Sequence, residues 1–393
     1  MSSSVNKVPS IVESLTSLIG INSISSVLPQ YDQSNLAVID TLAGWFESLG
    51  FAIEVLPIAG APGKANLLAT LGKGDGGLVL SGHTDTVPCN PELWRSDPFV
   101  LTERDNRYYG LGTCDMKGFF SMILEAVQVF RAADFKQPLM VLATADEESS
   151  MVGARALARQ GNLKGRYAVI GEPTSLRPIR MHKGIIMETV RLTGKAGHSS
   201  NPDLGINSID AMHDVIGELK NIRRDLSAQY HNAHFAVSTP TLNLGCIHGG
   251  DNPNRICGSC ELAFDLRALP GMSNDDLREE IRRRLSPIAA QNQVQFELET
   301  LFPGIEPFST SEQSPLVQAA ERLTGYRSEA VAFATEAPFL QELGFETIVM
   351  GPGSIDQAHQ VDEFLAFDQI DPCVSLLRSL IRQFCVDAAD ARD

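Results

Sequence analysis

A chain of 393 residues with 43% hydrophobic and 20% charged residues is too long for one ordinary core and too apolar for disorder, so two folded domains are expected. A net charge of −16 and a pI near 5.0 argue against nucleic acid and anionic membrane as partners and favour small or cationic ligands. No apolar stretch approaches the roughly 20 residues that span a bilayer.

In chain order the pattern predicts an amphipathic helix over residues 34–49, a strand over 51–56 and a second strand, Leu78-Val79-Leu80, that runs out at His83. A helix over 115–130, a strand over 139–144, a helix over 153–159 and a strand over 167–170 follow. This alternation predicts an α/β fold, a mixed sheet covered by helices on both faces. From about residue 185 the texture changes to a strand at 187–192, a helix at 206–226, strands at 239–244 and 261–266, a helix at 274–285 and a strand at 294–300. That β-α-β-β-α-β order is the ferredoxin-like α+β arrangement of a small inserted domain. A helix at 315–323, a strand at 347–350 and a helix at 368–385 then complete the first domain. Residues 1–185 and 306–393 are therefore expected to form one discontinuous domain, with 186–305 inserted into it.

The N-terminus, Met1-Ser2-Ser3-Ser4-Val5-Asn6-Lys7, lacks the apolar core of a signal peptide, which predicts a cytoplasmic protein. Seven scattered cysteines suit reduced thiols. Cys257-x-x-Cys260 has no second pair, and positions three apart on a strand face opposite sides, so both read as buried fillers rather than zinc ligands.

Three of the apolar strands end in acid or imidazole side chains: Ser81-Gly82-His83-Thr84-Asp85, Ala145-Asp146-Glu147-Glu148 and Gly171-Glu172-Pro173. Open α/β sheets bind ligands at the carboxyl ends of their strands, and carboxylates gathered there repel one another unless a cation neutralises them. His83 and Asp85, two apart in extended backbone, face one way, which suits an imidazole ligand oriented by a neighbouring acid; alone, the pair is equally a solvated strand end. Asp115 follows a Gly110-Leu111-Gly112-Thr113 turn at the start of a helix, where a lone Asp reads as an N-cap. Adjacent Glu147 and Glu148 diverge, so one can ligate a metal while the other faces substrate as general acid/base. His359 follows a Gly351-Pro352-Gly353-Ser354 turn. His83, Asp115, Glu148, Glu172 and His359 overfill one zinc ion, and they suffice for two if one carboxylate bridges. Such a pair is the dinuclear arrangement used for hydrolysis.

The segments 81–88, 112–118, 145–148, 171–174 and Gly194-Lys195-Ala196-Gly197-His198-Ser199-Ser200 resemble the signatures of the dinuclear zinc deacylases and exopeptidases that include acetylornithine deacetylase, succinyl-diaminopimelate desuccinylase and aminoacylase. The match spans almost the whole chain. The stretches 143–148, 242–245, 248–250, 254–257 and 351–354 have the character of the acetylornithine-deacetylating branch. The resemblance implies a zinc-exopeptidase-type catalytic domain with two Zn2+ ions, Co2+ being able to substitute. His83 and Glu172 would hold one ion, Glu148 and His359 the other, and Asp115 would bridge. Asp85 would orient His83, and Glu147 would be the general base that takes a proton from the attacking water and delivers it to the leaving amine. Residues alone do not say which of Glu147 and Glu148 ligates; the resemblance decides it. His198, on the inserted domain, would stabilise the oxyanion, often from a partner subunit, which implies a homodimer through that domain. Read without the family, it is a turn residue.

Asn254 and Arg255 resemble a substrate-anchoring position, and a guanidinium suits a free carboxylate, although Arg255 reads equally as one half of an intramolecular ion pair. Gly353 and Ser354 offer backbone N–H groups to the same carboxylate, or form a tight turn only. Glu336, within Thr335-Glu336-Ala337-Pro338, is a candidate partner for an ornithine ammonium. Of the remaining histidines, read as surface or core residues, His182 at the domain junction is the first to reconsider. The resemblance thus implies a zinc-dependent amide hydrolase that deacetylates acetylornithine in arginine biosynthesis. The alternatives are a succinyl-diaminopimelate or acetylcitrulline deacylase, a dipeptidase, or a non-catalytic binding protein on the same fold.

Overall fold

The computed structural model describes residues 8–387. The N-terminal segment read over residues 1–7 lies outside them. The chain forms two compact units. The larger holds residues up to Arg180 together with Thr310–Glu329 and the chain from Glu336 onward; the smaller holds Met181–Ser309 and Ala330–Thr335. The sequence draws the junctions at 185/186 and 305/306, and nothing in it shows that residues 330–335 join the insertion. They do so through the Lys183 N–H, which donates to the Val331 carbonyl at 3.2 Å, and the Thr335 N–H, which donates to His182 Nε2 at 3.3 Å.

The larger unit is built on a mixed sheet in the order Ala52–Pro57, Ala65–Leu71, Leu139–Thr144, Leu78–His83, Tyr167–Pro173 and Glu346–Gly351. The last four strands run parallel and the first two pair antiparallel at the edge. The strands Leu78–His83, Leu139–Thr144 and Tyr167–Pro173 are buried along their whole length, as continuous apolar runs between two helical layers require. On one face lies helix Lys117–Val127, buried at every residue but Glu125, with helices Ile11–Ile19 and Ile370–Ile381 packed over it. Leu15, Leu18, Phe119, Phe120, Ile123 and Leu377 belong to this core, each fully buried side chain contributing about 1.5–3 kcal/mol. Helix Ile11–Ile19 was not anticipated, although Ser10 and Glu13 form the capping box that announces it. Strand Ala65–Leu71 and the small sheet of Thr102–Arg104, Arg107–Tyr109 and Phe364–Ala366 were also missed, being short or of ambiguous periodicity.

The smaller unit is a four-stranded antiparallel sheet in the order Thr241–Gly249, Ser259–Arg267, Ile185–Thr193, Gln295–Ile305, with helices Ser208–Gln229 and Asn274–Gln291 packed on it. The chain order and the sheet order together are ferredoxin-like, as the sequence predicts. Its separate core includes Ile186, Val190, Leu192, Met212, Leu219, Leu262, Phe264, Ile281 and Leu285. Cys257 and Cys260 are buried and free, as expected. His182 is a satisfied core histidine: one ring nitrogen meets the Lys183 carbonyl at 2.9 Å, the other accepts from Thr335, and the ring packs on Phe308. Among the described residues no helix is long and apolar enough to cross a membrane.

Candidate metal centre

The four parallel strands deliver their chemistry at one edge of the sheet. His83 is the last residue of its strand and Glu172 the penultimate residue of its own; Asp146-Glu147-Glu148 follow Thr144, and the loop to His359 follows Gly351. Asp115 arrives from the turn before helix Lys117–Val127. That helix starts two residues later, with Met116 at its N-cap position, so Asp115 does not cap it. Its carboxylate instead spans two imidazoles, Oδ1 at 3.1 Å from His83 Nε2 and Oδ2 at 3.6 Å from His359 Nε2. The peptide bond between Asp115 and Met116 is cis.

Around this bridge the remaining donors close in. His359 Nε2 lies 3.0 Å from Glu148 Oε2, and His83 Nε2 lies 3.9 Å from Glu172 Oε1. His83, Glu147 and Glu172 each offer one ligand atom within 4.8 Å of the others, and so do His83, Asp115 and Glu148. Glu172 Oε1 is sealed from solvent without a hydrogen-bond partner.

Asp85 meets His83 differently from the simple carboxylate–imidazole pair. Its main-chain carbonyl lies 3.0 Å from His83 Nδ1, whereas its carboxylate oxygen is 3.6 Å away. That carboxylate accepts the N–H groups of Glu147 at 3.2 Å and Glu148 at 3.0 Å, so one residue sets both the imidazole tautomer and the turn that carries two acids. The same turn is held from its other side by Lys64, whose buried ammonium bonds Asp146 at 2.6 Å and Asp32 at 2.8 Å.

The electrostatics are those of a site short of positive charge. Burial and then the Asp115 charge push Glu172 well above the usual carboxylate range, and desolvation followed by the Glu172 charge does the same to Glu147. Burial opposes protonation of His83, yet its hydrogen bond to Asp115 and the Asp85 and Glu172 charges hold its pKa well up. The hydrogen bond to Glu148 raises His359 to about 9. Protons on these groups stand in for a cation that binds them better. The donor set, two imidazoles and crowded carboxylates of which one oxygen is orphaned, fits divalent metal.

Other expected residues lie elsewhere in the chain. In the larger unit, Glu336 is buried with Oε1 unpartnered and burial raises it to about 7; its charge bears on Glu147 and Glu172. Gly353 adopts a φ of +81°, and an added Cβ would lie 2.4 Å from Cys114 Sγ, so the turn needs glycine. With Ser354 it borders a cavity of about 160 Å³ shared with Ser175, Gln357 and Phe364. In the smaller unit, His198 and Arg255 are cross-strand partners on a two-stranded ribbon. The Ser200 hydroxyl meets His198 Nδ1 at 2.9 Å, Arg255 pairs with Asp251 at 2.7 Å, and the Asn254 carbonyl accepts the Ser199 N–H. Arg255 is thus the intramolecular ion pair that its sequence left open, and it is exposed. Sequence reasoning missed Lys64, Lys117 and Glu363, all buried close to these turns.

The model of peptidase family M20/M25/M40 matches residues 79–383. The chain belongs to peptidase family M20/M25/M40. Among its relatives, acetylornithine deacetylase of Edwardsiella ictaluri is 50% identical over 379 residues, covering 96% of this chain and 99% of that one. Acetylornithine deacetylase of Pasteurella multocida is 48% identical over 381 residues, covering 97% and 100%. A Bacillus subtilis protein described as a dinuclear metal binding peptidase of the M20 family shares the fold, with a TM-score of 0.67 at 16% identity over 94% and 96% of the two chains. The M20 fold therefore accounts for both units, and the acid and imidazole cluster fits a divalent metal.

Proposed function

We propose that this M20 chain is a zinc-dependent amide hydrolase that removes the acetyl group from N2-acetyl-L-ornithine, releasing L-ornithine and acetate in arginine biosynthesis. The observation that carries the reading is the coincidence of near-complete alignment to acetylornithine deacetylases at 48–50% identity with a converged His83, Asp115, Glu147, Glu148, Glu172 and His359 cluster. In this reading the larger unit is the catalytic domain, and the smaller unit, Met181–Ser309 with Ala330–Thr335, is a lid and dimerisation domain. His83 and Glu172 would hold one Zn2+, Glu148 and His359 the other, with Asp115 shared between them; Co2+ would substitute. The 3.1 and 3.6 Å approaches of Asp115 to the two imidazoles support the bridging role.

The bound ions supply Lewis-acid polarisation of the carbonyl and a water of lowered pKa. The chain's own residues do the rest. Asp85 holds His83 in one tautomer through its carbonyl. Glu147, which packs among the ligands and makes no salt bridge among the described residues, takes the proton of the attacking water and passes it to the leaving nitrogen. His198 offers an imidazole to the developing oxyanion, from the partner subunit of a homodimer. Arg255, with Asn254 and the Gly353–Ser354 backbone, receives the α-carboxylate; the price for Arg255 is its exposed pair with Asp251, worth at most about 1 kcal/mol. Glu336 is the carboxylate for the substrate ammonium. A cytoplasmic location fits seven free cysteines.

The test is the rate of acyl release from a panel of acetylornithine, acetylcitrulline, succinyl-diaminopimelate and simple dipeptides, before and after chelation and zinc return. Acetylornithine is expected to lead, and activity to depend on metal. A panel led by succinyl-diaminopimelate or a dipeptide overturns the substrate.

A further inference from the structure

Four residues past His359, Glu363 is almost fully buried and its carboxylate accepts only backbone groups among the described residues. Oε1 and Oε2 each lie 3.1 Å from the Gly112 nitrogen, and Oε1 also takes the Cys114 N–H at 2.8 Å and the Asp115 N–H at 3.0 Å. Three N–H groups converging from one tight turn make an anion-binding nest. Here the anion is a side chain of the protein. The Glu363 backbone is itself fixed, since its carbonyl accepts the Gly110 N–H at 3.1 Å and the ladder continues through Phe364 opposite Tyr109. Lys117, buried two residues past Asp115, gives its ammonium to the Leu18 and Ile21 carbonyls at 2.8 Å each, so it acts on Glu363 only through its field.

The consequence follows from what the two tethered segments carry. The 112–115 turn presents Asp115, the carboxylate that lies between both imidazoles; the 359–363 loop presents His359. Those segments are 248 residues apart between Asp115 and Glu363, and one carboxylate ties them. The loop is held at a second point by Asp362, which accepts the Arg95 N–H at 2.9 Å and pairs with its guanidinium. His359 and Asp362 both sit at positive φ, +61° and +60°, so this loop keeps its shape only while its anchors hold.

We propose that Glu363 is a positioning residue for the metal centre: it locks the Asp115 turn to the His359 loop, and thereby sets the affinity of the ion that those two residues share. The inference rests on the dinuclear reading above. Substituting Gln keeps the reach and Oε1 but turns an NH2 toward the Gly112 N–H, opposing one of three donors. Asp keeps the charge and falls one methylene short.

The experiment is competition between the purified protein and a chromophoric chelator for Zn2+, on parent, Glu363→Gln and Glu363→Asp, with the thermal midpoint of each chelated protein recorded alongside. Glu363→Gln is expected to bind the ion shared by Asp115 and His359 about 10–100-fold more weakly and the other ion, which Asp115 also reaches, with a smaller loss, with the chelated protein still folded. In kinetics at saturating zinc, kcat falls more than KM changes, because Asp115 and His359 serve the ions rather than the substrate. A Glu363→Gln protein that binds both ions within twofold of the parent overturns the proposal. If Glu363→Gln fails to fold, the Asp variant decides: unchanged affinity in it likewise overturns the role. A parent that takes up no zinc sinks the dinuclear reading instead, so the two failures are distinguishable.

Discussion

At the scale of single residues, the site is a set of side chains that would be costly anywhere else. Among the described residues Glu147 makes no salt bridge; it stands among three other acids and is displaced upward in pKa by desolvation and then the Glu172 charge. Replacing it with Gln removes the proton carrier but no ligand. A fall in kcat of roughly 10²–10⁴-fold is expected with the zinc content unchanged, read by turnover and metal analysis on one sample. A variant as fast as the parent removes Glu147 from the mechanism. Residues such as His83, Glu147 and Glu172 were legible because each interrupts an apolar run where core should continue. Glu363 and Lys64 were not, because nothing local separates a buried charge from a solvated one. Only the fold shows that the first meets three N–H groups and the second two carboxylates.

Elements position those residues through close packing. Strand Tyr167–Pro173 passes so near helix Lys117–Val127 that a Cβ on Gly171 would lie 2.1 Å from the Phe119 ring. Gly171→Ala is expected to cost about 1–3 kcal/mol or more, measured by urea unfolding, and to weaken metal binding because Glu172 is the next residue. The 145–148 turn depends on Lys64 in the same sense. Its ammonium is the counter-charge for Asp146, whose φ of +57° keeps Glu147 and Glu148 turned inward. Lys64→Met leaves Asp146 buried and unpaired, and a loss of about 3 kcal/mol in the same unfolding assay is expected. The strands carrying His83 and Glu172 and the helices over 36–48 and 274–291 were readable from periodicity. Strand Ala65–Leu71 was not, since its mixed burial matches neither a two-residue nor a 3.6-residue repeat.

For the whole molecule, two cores imply two responses to conditions. Chelation leaves the carboxylates of the larger unit facing one another, so its thermal midpoint falls while that of the smaller unit stays; a metal present at about 1,000 times its Kd stabilises by about 4 kcal/mol. Calorimetry with and without chelator reads this directly. The smaller unit answers to acid. Burial lowers His182 to about 4, against 6.5 for the free side chain, so it is neutral in the folded state. As pH falls from about 6.5 to about 4 the unfolded chain takes up a proton that the native chain refuses, and up to about 3 kcal/mol of stability is lost over that window. Above pH 6.5 the residue contributes no pH dependence. Unfolding midpoints between pH 7 and 4 should fall less steeply for His182→Gln than for the parent; equal slopes contradict the assignment.

The sequence by itself determined the classes of element and the chemical species at the strand ends, because hydrophobic periodicity and an acid at the end of an apolar run are local facts. It also determined the order of the insertion, from which the ferredoxin-like sheet follows by pairing rules. What the tertiary structure alone decided is convergence: that Asp115 lies between two imidazoles rather than capping a helix, that residues 330–335 join the smaller unit, and that Glu363 fills a nest of N–H groups. Each of these depends on distances between segments tens to hundreds of residues apart, and no local pattern of residues encodes such a distance.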